Sequence, residues 1–334
     1  MTTPTTTEPR TRRSVPPLAR LAGLTAALGA ILIALLALFI LPSLKSGAHD
    51  LPLGIAGDPA AVTQVETALE KAAPGAYAVE AFSSAEDLDD AIADRTVHGG
   101  LVAGPNGLEV HVASAGSTAI SGSLTATAQA VGQATALPVA VSDVVPLPEA
   151  DPTGIGIGGL AFPLVFGGIV PVVAFRSLFS SNRWKLAGLG TFALAGGVIV
   201  AAVLRFWFGS IDDSFWPVAG AMALGIAALA IPLAGLQQAL GAKGFTIGAA
   251  SMMFLGNPLA GIATTGAWLP SGLGDLGQLL PPGAAGALVR SAAYFDGAGG
   301  LGAALTLTGW IVAGFVLHAV GTRRAARRDT VVAD

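Results

Sequence analysis

Two histidines are the residues of this sequence whose spacing most readily suggests chemistry. His98 and His111 flank a predicted turn, "PNG", on two neighbouring strands, so together they could hold a metal ion. No third ligand is evident, and two solvent-facing strand residues are the simpler interpretation. The chain has no cysteine, which excludes disulfides, thiolate metal sites and a cysteine nucleophile. We therefore expect no metal and no cofactor.

Other signatures of catalysis are weak or missing. Five acidic residues between 86 and 94 could attract cations, but their spacing around Leu88 and Ile92 is typical of the solvated face of an amphipathic helix. The sequence has no Walker lysine loop, no serine nucleophile elbow and no H-E-x-x-H motif, so we do not expect an enzyme. Proton-coupled antiport is disfavoured, because the predicted span interiors contain no acidic residue.

The composition is that of a protein solvated largely by lipid. Of its 334 residues, 53% are hydrophobic and 11% are charged, whereas a soluble domain carries about 25% charged residues. A bilayer core about 30 Å thick needs roughly 20 apolar residues in a helix. The first apolar stretch is longer than a signal-peptide core and has no convincing cleavage site, so we expect an uncleaved anchor. Six spans are predicted, at about 18–42, 154–175, 186–206, 215–240, 245–259 and 301–321.

The distribution of charge predicts which side of the membrane each segment occupies. Cytoplasmic flanks are expected to hold the excess of lysine and arginine. With the N-terminus inside, the inner segments hold twelve of the 17 basic residues and three of the 21 acidic ones. We therefore predict a multi-pass protein of a bacterial plasma membrane with both termini in the cytoplasm. Residues 1–17 would be a disordered N-terminal segment and residues 323–334 a basic tail.

Residues 46–150 are predicted to form the only sizeable water-exposed unit, outside the cell. Their apolar runs and helix-start signals alternate in the order β-α-β-α-β-β-α-β, which indicates a small α/β domain with a mixed sheet. Asp58 followed by proline starts the first of these helices, and a serine pair before an acidic run starts the second. The expected fold is thus a polytopic helical membrane protein with an inserted extracytoplasmic α/β domain.

The segment after the fifth predicted span is more apolar than an ordinary loop outside the membrane. Residues 260–295 must start and finish outside, yet they stay apolar, with Asp275 as the only charge before Arg290. Glycine and proline interrupt them too often for two further crossings. Irregular backbone survives at membrane depth only where protein covers it or where it lines a water-filled cavity. We predict two short re-entrant helices in the outer leaflet, with a turn near Ser271–Asp275.

This part of the sequence resembles the ABC-2-type transporter permease superfamily. "GNPLAGIATTGAWLPSGLGDLGQLLPPGAAGALVR" is similar to the end of such permeases, where a polar break after the fifth span leads into an LP-containing hairpin. The phrases "LPLGIAGDPAAV", "AIADRTVHGGLVAG" and "HVASAGS" look similar to the phage-infection-protein-like branch and its actinobacterial relatives. The resemblance covers about residues 18–322. It implies one anchor, an outside α/β domain, five further spans and a possible separate ATPase subunit.

One connection departs from that family pattern. Such exporters usually carry an acidic, amphipathic coupling helix between the second and third spans, whereas this chain has only "RSLFSSNRWK" there. Its basic and aromatic residues could dock an ATPase, or could be what the positive-inside rule and an interfacial tryptophan leave without any partner. The docking candidates are Arg176, Arg183, Trp184 and Lys185.

The leading hypothesis is an export or efflux permease, homodimeric in the bilayer, for an amphipathic or lipid-like substrate. The re-entrant segment would form its exit gate, although the prolines could be purely structural and Arg290 could simply snorkel. The gate candidates are Asn257, Pro258, Thr264, Thr265, Pro270, Pro281, Pro282 and Arg290. The alternative is a non-transporting receptor or cell-envelope scaffold whose outside domain binds a partner. No nucleic-acid partner is expected.

Overall fold

The computed structural model describes residues 16–44, 47–104, 107–262, 265–270 and 272–333. Within this part, five helical stretches are long and apolar enough to cross a membrane, which is compatible with a multi-pass membrane protein. The first, helix α1, spans Pro17–Leu44, and its residues up to Leu41 belong to a separate compact unit. The predicted disordered segment falls almost wholly on residues 1–15, which lie outside the described residues.

A five-stranded mixed sheet with three helices follows α1 in the chain. The predicted order β-α-β-α-β-β-α-β is confirmed. The strands are arranged β2-β1-β3-β4-β5, with β3 and β4 antiparallel and all other neighbours parallel. The elements are β1 (Leu51–Gly57), α2 (Pro59–Ala72), β2 (Tyr77–Phe82), α3 (Ala85–Ala93), β3 (Gly99–Gly104), β4 (Gly107–Val112), α4 (Thr118–Thr135) and β5 (Val139–Asp143).

Helices cover both faces of this sheet. On one face, α2 and α4 pack on alternate strand residues such as Leu53 and Leu101, which are fully buried. On the other face, α3 inserts Leu88 and Ile92. The predicted start of α3 is confirmed, because the Ser84 hydroxyl accepts a hydrogen bond from the Asp87 amide at 3.0 Å. Asp58 occupies the predicted N-cap position of α2, but its side chain forms no capping hydrogen bond. We refer to residues 47–150 as the sheet domain.

The remaining chain is almost entirely helical and packs around one long central helix, α8, whose apolar residues are the most buried of the group. The helices are α5 (Ile155–Gly158), α6 (Ala161–Leu178), α7 (Asn182–Ala202), α8 (Phe215–Ser251), α9 (Asn257–Leu259), α10 (Leu273–Leu279), α11 (Pro281–Tyr294) and α12 (Leu301–Ala333). Wider π-helical turns extend α7 over Val203–Phe208 and α8 over Met252–Gly256.

The central helix is interrupted at Gly241, where φ is 70° and ψ is −157°. A methyl group on Gly248 would lie 2.7 Å from the Leu236 side chain and 2.9 Å from the Leu233 side chain. Positions twelve residues apart in a straight helix are separated by about 18 Å, so the chain must fold back at Gly241. Glycine permits this because it adopts positive φ at little cost. The fold-back separates the predicted fourth and fifth spans, and six crossings stay a prediction.

The segment predicted to be re-entrant contains two short helices, α10 and α11. Their junction is at Leu280, so the predicted turn near Ser271–Asp275 is wrong. Leu280 is extended, with φ −90° and ψ 145°, because the following Pro281 disfavours the helical conformation in the residue before it. Pro281 then occupies the first turn of α11. Asp275 lies in the first turn of α10, and Ser271 lies outside the described residues.

The last helix continues beyond the predicted span. The predicted span ends near residue 321, whereas α12 continues to Ala333. The basic stretch "RRAARR" within the predicted tail is helical, in agreement with the strong helix propensity of alanine and arginine.

Candidate functional site

A cavity of about 570 Å³ lies between the sheet domain and the segment 260–290. The sheet domain contributes the α3–β3 connection and the start of α4, and the helical part contributes α10, α11 and the irregular chain before them. The lining combines apolar side chains with polar ones. Its charged and polar residues are His49, Arg95, His98, Ser117, Thr265, Asp275, Gln278 and Arg290.

Arg95 enters the cavity from the turn that ends α3. Its backbone is left-handed, with φ 61°, and its amide donates to the Ile92 carbonyl at 3.1 Å. The guanidinium carbon lies 5.0 Å from the centre of the Phe295 ring, within the range of a cation–π interaction. Burial lowers the pKa of Arg95. Among the described residues, no carboxylate forms an ion pair with it.

Arg290 enters the same cavity from α11. Its Nη2 donates to the Ile262 carbonyl at 2.7 Å, and it also forms no ion pair with a described carboxylate. Burial, and to a smaller extent the charge of Arg95, lowers the pKa of Arg290 to about 10. The side chain is still protonated at neutral pH. Two positive charges therefore share one cavity, and no acid of the described part of the chain is paired to either of them.

One further feature of the sheet domain favours negative charge in the cavity. The first turn of α4 faces it through Ser117 and Ile120, and a helix of 18 residues carries partial positive charge at its N-terminus. His98, just before β3, also lines it. Burial, with a smaller contribution from Arg95, lowers the pKa of His98 to about 4, so this ring is neutral at pH 7. Asp275, the one acid in the described lining, is exposed.

Side-chain hydrogen bonds to the backbone hold the irregular chain before α10 in place. Gln278 Nε2 donates to the Ala260 carbonyl at 3.2 Å, and Arg290 Nη2 donates to the Ile262 carbonyl two residues further on. The Thr265 hydroxyl accepts from the Ala267 amide at 3.2 Å. Named contacts therefore hold Ala260, Ile262 and Ala267, three described backbone positions of this cavity wall.

The contacts between the sheet domain and the helical part are also specific. Phe295, which follows α11, is buried in the cluster that Leu88 and Ile92 form on the second sheet face. The Gly47 amide donates to the Trp268 carbonyl at 3.1 Å. Both walls of the cavity therefore belong to one packed unit.

The predicted gate residues fall into separate groups. Thr265 and Arg290 line the cavity, whereas Asn257 and Pro258 belong to α9 and do not line it. The Asn257 Oδ1 is buried and has no hydrogen-bond partner in the described part of the chain. Thr264 lies outside the described residues.

The other predicted prolines occupy structural positions. Pro281 and Pro282 are buried in the first turn of α11, and a methyl group on Gly256 would lie 2.9 Å from Pro282 Cγ. The Pro270 carbonyl accepts a hydrogen bond from the Leu273 amide at 3.0 Å, just before α10. None of these prolines lines the cavity.

The predicted docking residues lie at the far end of α6 and the start of α7. Only residues 179–181 separate these helices, so no coupling helix stands between them. Arg176 and Arg183 are exposed, and the Trp184 ring stacks on Phe179 at 6.4 Å. Lys185 Nζ donates to Asn182 at 3.5 Å.

A second, smaller cavity lies at this end of the helices. Its volume is about 220 Å³, and Arg176, Lys185 and His318 line it together with the glutamine pair Gln237 and Gln238. Arg176 and Lys185 therefore share this cavity with polar side chains, whereas Arg183 does not line it.

The two histidines do not form a pair. His111 is only 5% exposed, and its Nδ1 lies 2.5 Å from Asp89 Oδ1 on α3. His98 instead lines the cavity. The expectation of two solvent-facing residues is wrong, because α3 covers the sheet face that carries His111.

The sequence patterns do not predict Arg95 as a residue of this cavity. A weak signal did exist, since the predicted outer segments are strongly acidic and hold only five basic residues, of which Arg95 and Arg290 are two. No pattern connects these two positions, which are 195 residues apart in the sequence.

Comparison with models of known protein families and with curated proteins finds no match to this chain. The likeness to ABC-2-type permeases therefore rests on the quoted sequence phrases alone.

Proposed function

We propose that this chain is a membrane-embedded export permease of ABC-2-type architecture for an amphipathic or lipid-like substrate. The observation that carries the proposal is the 570 Å³ cavity between the sheet domain and the segment 260–290. A substrate with one polar and one apolar end needs both kinds of surroundings. This cavity offers arginines and the N-terminal turn of α4 beside apolar side chains, next to helices apolar enough to lie in a bilayer.

The contacts around α11 support a gating role for the segment 260–290. Tyr294 donates to the Ser210 carbonyl at 2.8 Å, and Ser214 donates to the Ala293 carbonyl at 2.6 Å. These bonds join α11 to the connection between α7 and α8. A shift of those helices would therefore move α11, and with it Arg290, relative to the sheet domain.

Energy for export would come from a separate ATPase subunit that binds the α6–α7 connection. Arg176 and Arg183 are exposed there and could contact an acidic groove. The connection lacks the lever helix that related exporters use, so an ATPase would have to act through the ends of α6 and α7 directly. The alternative form of the proposal is an export permease that works without a separate ATPase subunit.

The test compares the accumulation of fluorescent amphiphiles in cells with and without the protein, with an energy-depleted control. The probes should share one apolar tail and differ in the charge of the head group. We expect lower accumulation of at least one amphiphile in cells that contain the protein, and loss of the difference on energy depletion. Equal accumulation of every probe would contradict the proposal and favour the receptor or scaffold alternative.

A further inference from the structure

We infer that the cavity between the sheet domain and the segment 260–290 binds an oxyanion, a phosphate or carboxylate group, at the polar end of the ligand. The inference depends on the proposed function in one respect only, namely that the rest of the ligand is an apolar tail. The oxyanion itself is argued from the residues that line the cavity.

The first argument is the unbalanced charge of the cavity. Charged groups that leave water are normally paired with an opposite charge. Arg95 and Arg290 have no such partner among the described residues, and both line the same cavity. Asp275, which is exposed, is the one acid that could oppose them in the described lining. A bound anion would supply the missing negative charge.

The second argument is the supply of hydrogen-bond donors. A guanidinium group has five N–H donors in a planar fork that fits phosphate and carboxylate oxygens two at a time. Arg290 uses one donor on the Ile262 carbonyl, and the described residues give the Arg95 guanidinium a contact with the Phe295 ring but no hydrogen-bond acceptor. Most of these donors are therefore available to a ligand.

The third argument is the start of α4, which lines the same cavity. Ser117 and Ile120 place the N-terminal turn of an 18-residue helix against it. Helix N-termini attract anions through their partial positive charge. The helix N-terminus would not define a site alone. Here it lines the same cavity as Arg95 of the sheet domain and Arg290 of α11.

The size and the remaining lining define the rest of the ligand. About 570 Å³ is far more than a free phosphate needs and lies within the usual range for sites of small organic ligands. Ile92, Val97, Ile262 and Leu269 contribute apolar surface to the walls. The chemical class that fits is an amphiphile with an anionic head group, of which an anionic phospholipid is the simplest example.

The experiment measures binding to the purified full chain in a non-ionic detergent by isothermal titration calorimetry. Three probes distinguish the sources of the oxyanion: dihexanoyl phosphatidylglycerol, inorganic phosphate, and dihexanoyl phosphatidylcholine as the zwitterionic match. We expect the phosphatidylglycerol to bind more tightly than the phosphatidylcholine. Tighter binding of phosphatidylglycerol than of inorganic phosphate would identify a lipid head group as the ligand, and equal binding would identify the free anion.

Variants connect the binding to the two arginines. Arg95→Gln and Arg290→Gln should each weaken phosphatidylglycerol binding by about ten- to a hundredfold, the usual loss for a hydrogen bond to a charged group. Arg95→Lys keeps the charge but not the planar fork, so it should fall between wild type and Arg95→Gln. The matched control is Lys71→Gln, which removes an exposed positive charge on α2 outside the cavity and should change the affinity by less than about twofold.

Arg95→Gln is the decisive variant, because Arg290 also holds the Ile262 carbonyl and its loss could disturb the fold. Circular dichroism and the thermal unfolding curve show whether each variant is folded. Unchanged phosphatidylglycerol binding in folded Arg95→Gln would overturn the inference, as would equal binding of the zwitterionic lipid. Oxyanion binding without any export would contradict the proposed function alone, and export without oxyanion binding would contradict this inference alone.

Discussion

His98 is expected to make the protein less stable in mild acid. Burial, with a smaller contribution from Arg95, lowers the pKa of His98 to about 4 in the folded chain, whereas an unperturbed histidine has a pKa of about 6.5. The folded protein therefore resists protonation of this ring, and the unfolded protein does not. The stability that results is fully present above about pH 6.5 and is lost as the pH falls towards about 4.

The two pKa values set the size of the effect. At pH 5 the unfolded histidine is almost fully protonated, whereas the folded one is about one-tenth protonated. Integration of this difference in proton binding from pH 7.5 to pH 5 gives a loss of about 2 kcal/mol in the free energy of unfolding. For unfolding of the whole 334-residue chain, the midpoint of thermal unfolding should then fall by roughly 3 °C because of this one residue.

The assay is thermal unfolding of the full chain in detergent at pH 7.5 and pH 5, for wild type and His98→Gln. Glutamine keeps a polar side chain that cannot take up a proton. The result is the difference between wild type and His98→Gln in how far the unfolding midpoint falls from pH 7.5 to pH 5. This comparison is needed because other charged or titratable residues also line the cavity: Arg95, Arg290, Asp275 and His49. His49→Gln, the same substitution at another histidine of the cavity, is the matched control. Equal pH dependence in wild type and His98→Gln would refute the reasoning.

The remaining predictions concern domain autonomy, sidedness and energy coupling. Residues 46–150, expressed alone, should show a cooperative thermal transition without disulfides or metal, and a transition without cooperativity would contradict this. A cysteine at Asp296 should react with an impermeant thiol reagent in intact cells while one at Lys243 should not; labelling of the second position would overturn the predicted topology. An ATPase should copurify with the tagged protein in mild detergent and be released by Arg183→Glu with Lys185→Glu, whereas transport that persists without any ATPase would exclude the coupling.

The sheet domain was the most predictable part of the fold from sequence. Its order of strands and helices is encoded locally, by alternating apolar residues and by start signals such as Ser84 at α3. His111 was misplaced because alternation shows which residues share a strand face but not whether a helix covers that face. Here α3 covers it and brings Asp89 to the histidine.

The helical part was predictable in its apolar stretches but not in its junctions. The proline pair that begins α11 is visible in the sequence, yet the turn was predicted several residues too early, among glycines that α10 accommodates in its helix. The cavity itself could not be predicted. It depends on Arg95 of the sheet domain and Arg290 of α11 lining the same space, and their placement depends on the tertiary packing of Phe295 against the sheet domain.

The most direct test of the central claim is the efflux rate of a fluorescent anionic amphiphile from cells that contain wild type, Arg95→Gln or Lys71→Gln at equal protein levels. The claim is that this chain exports an amphiphile whose anionic head group binds beside Arg95 and Arg290. We predict fast efflux with wild type and Lys71→Gln, and efflux with Arg95→Gln no faster than in cells without the protein. Efflux that is the same in all four kinds of cell would contradict the account.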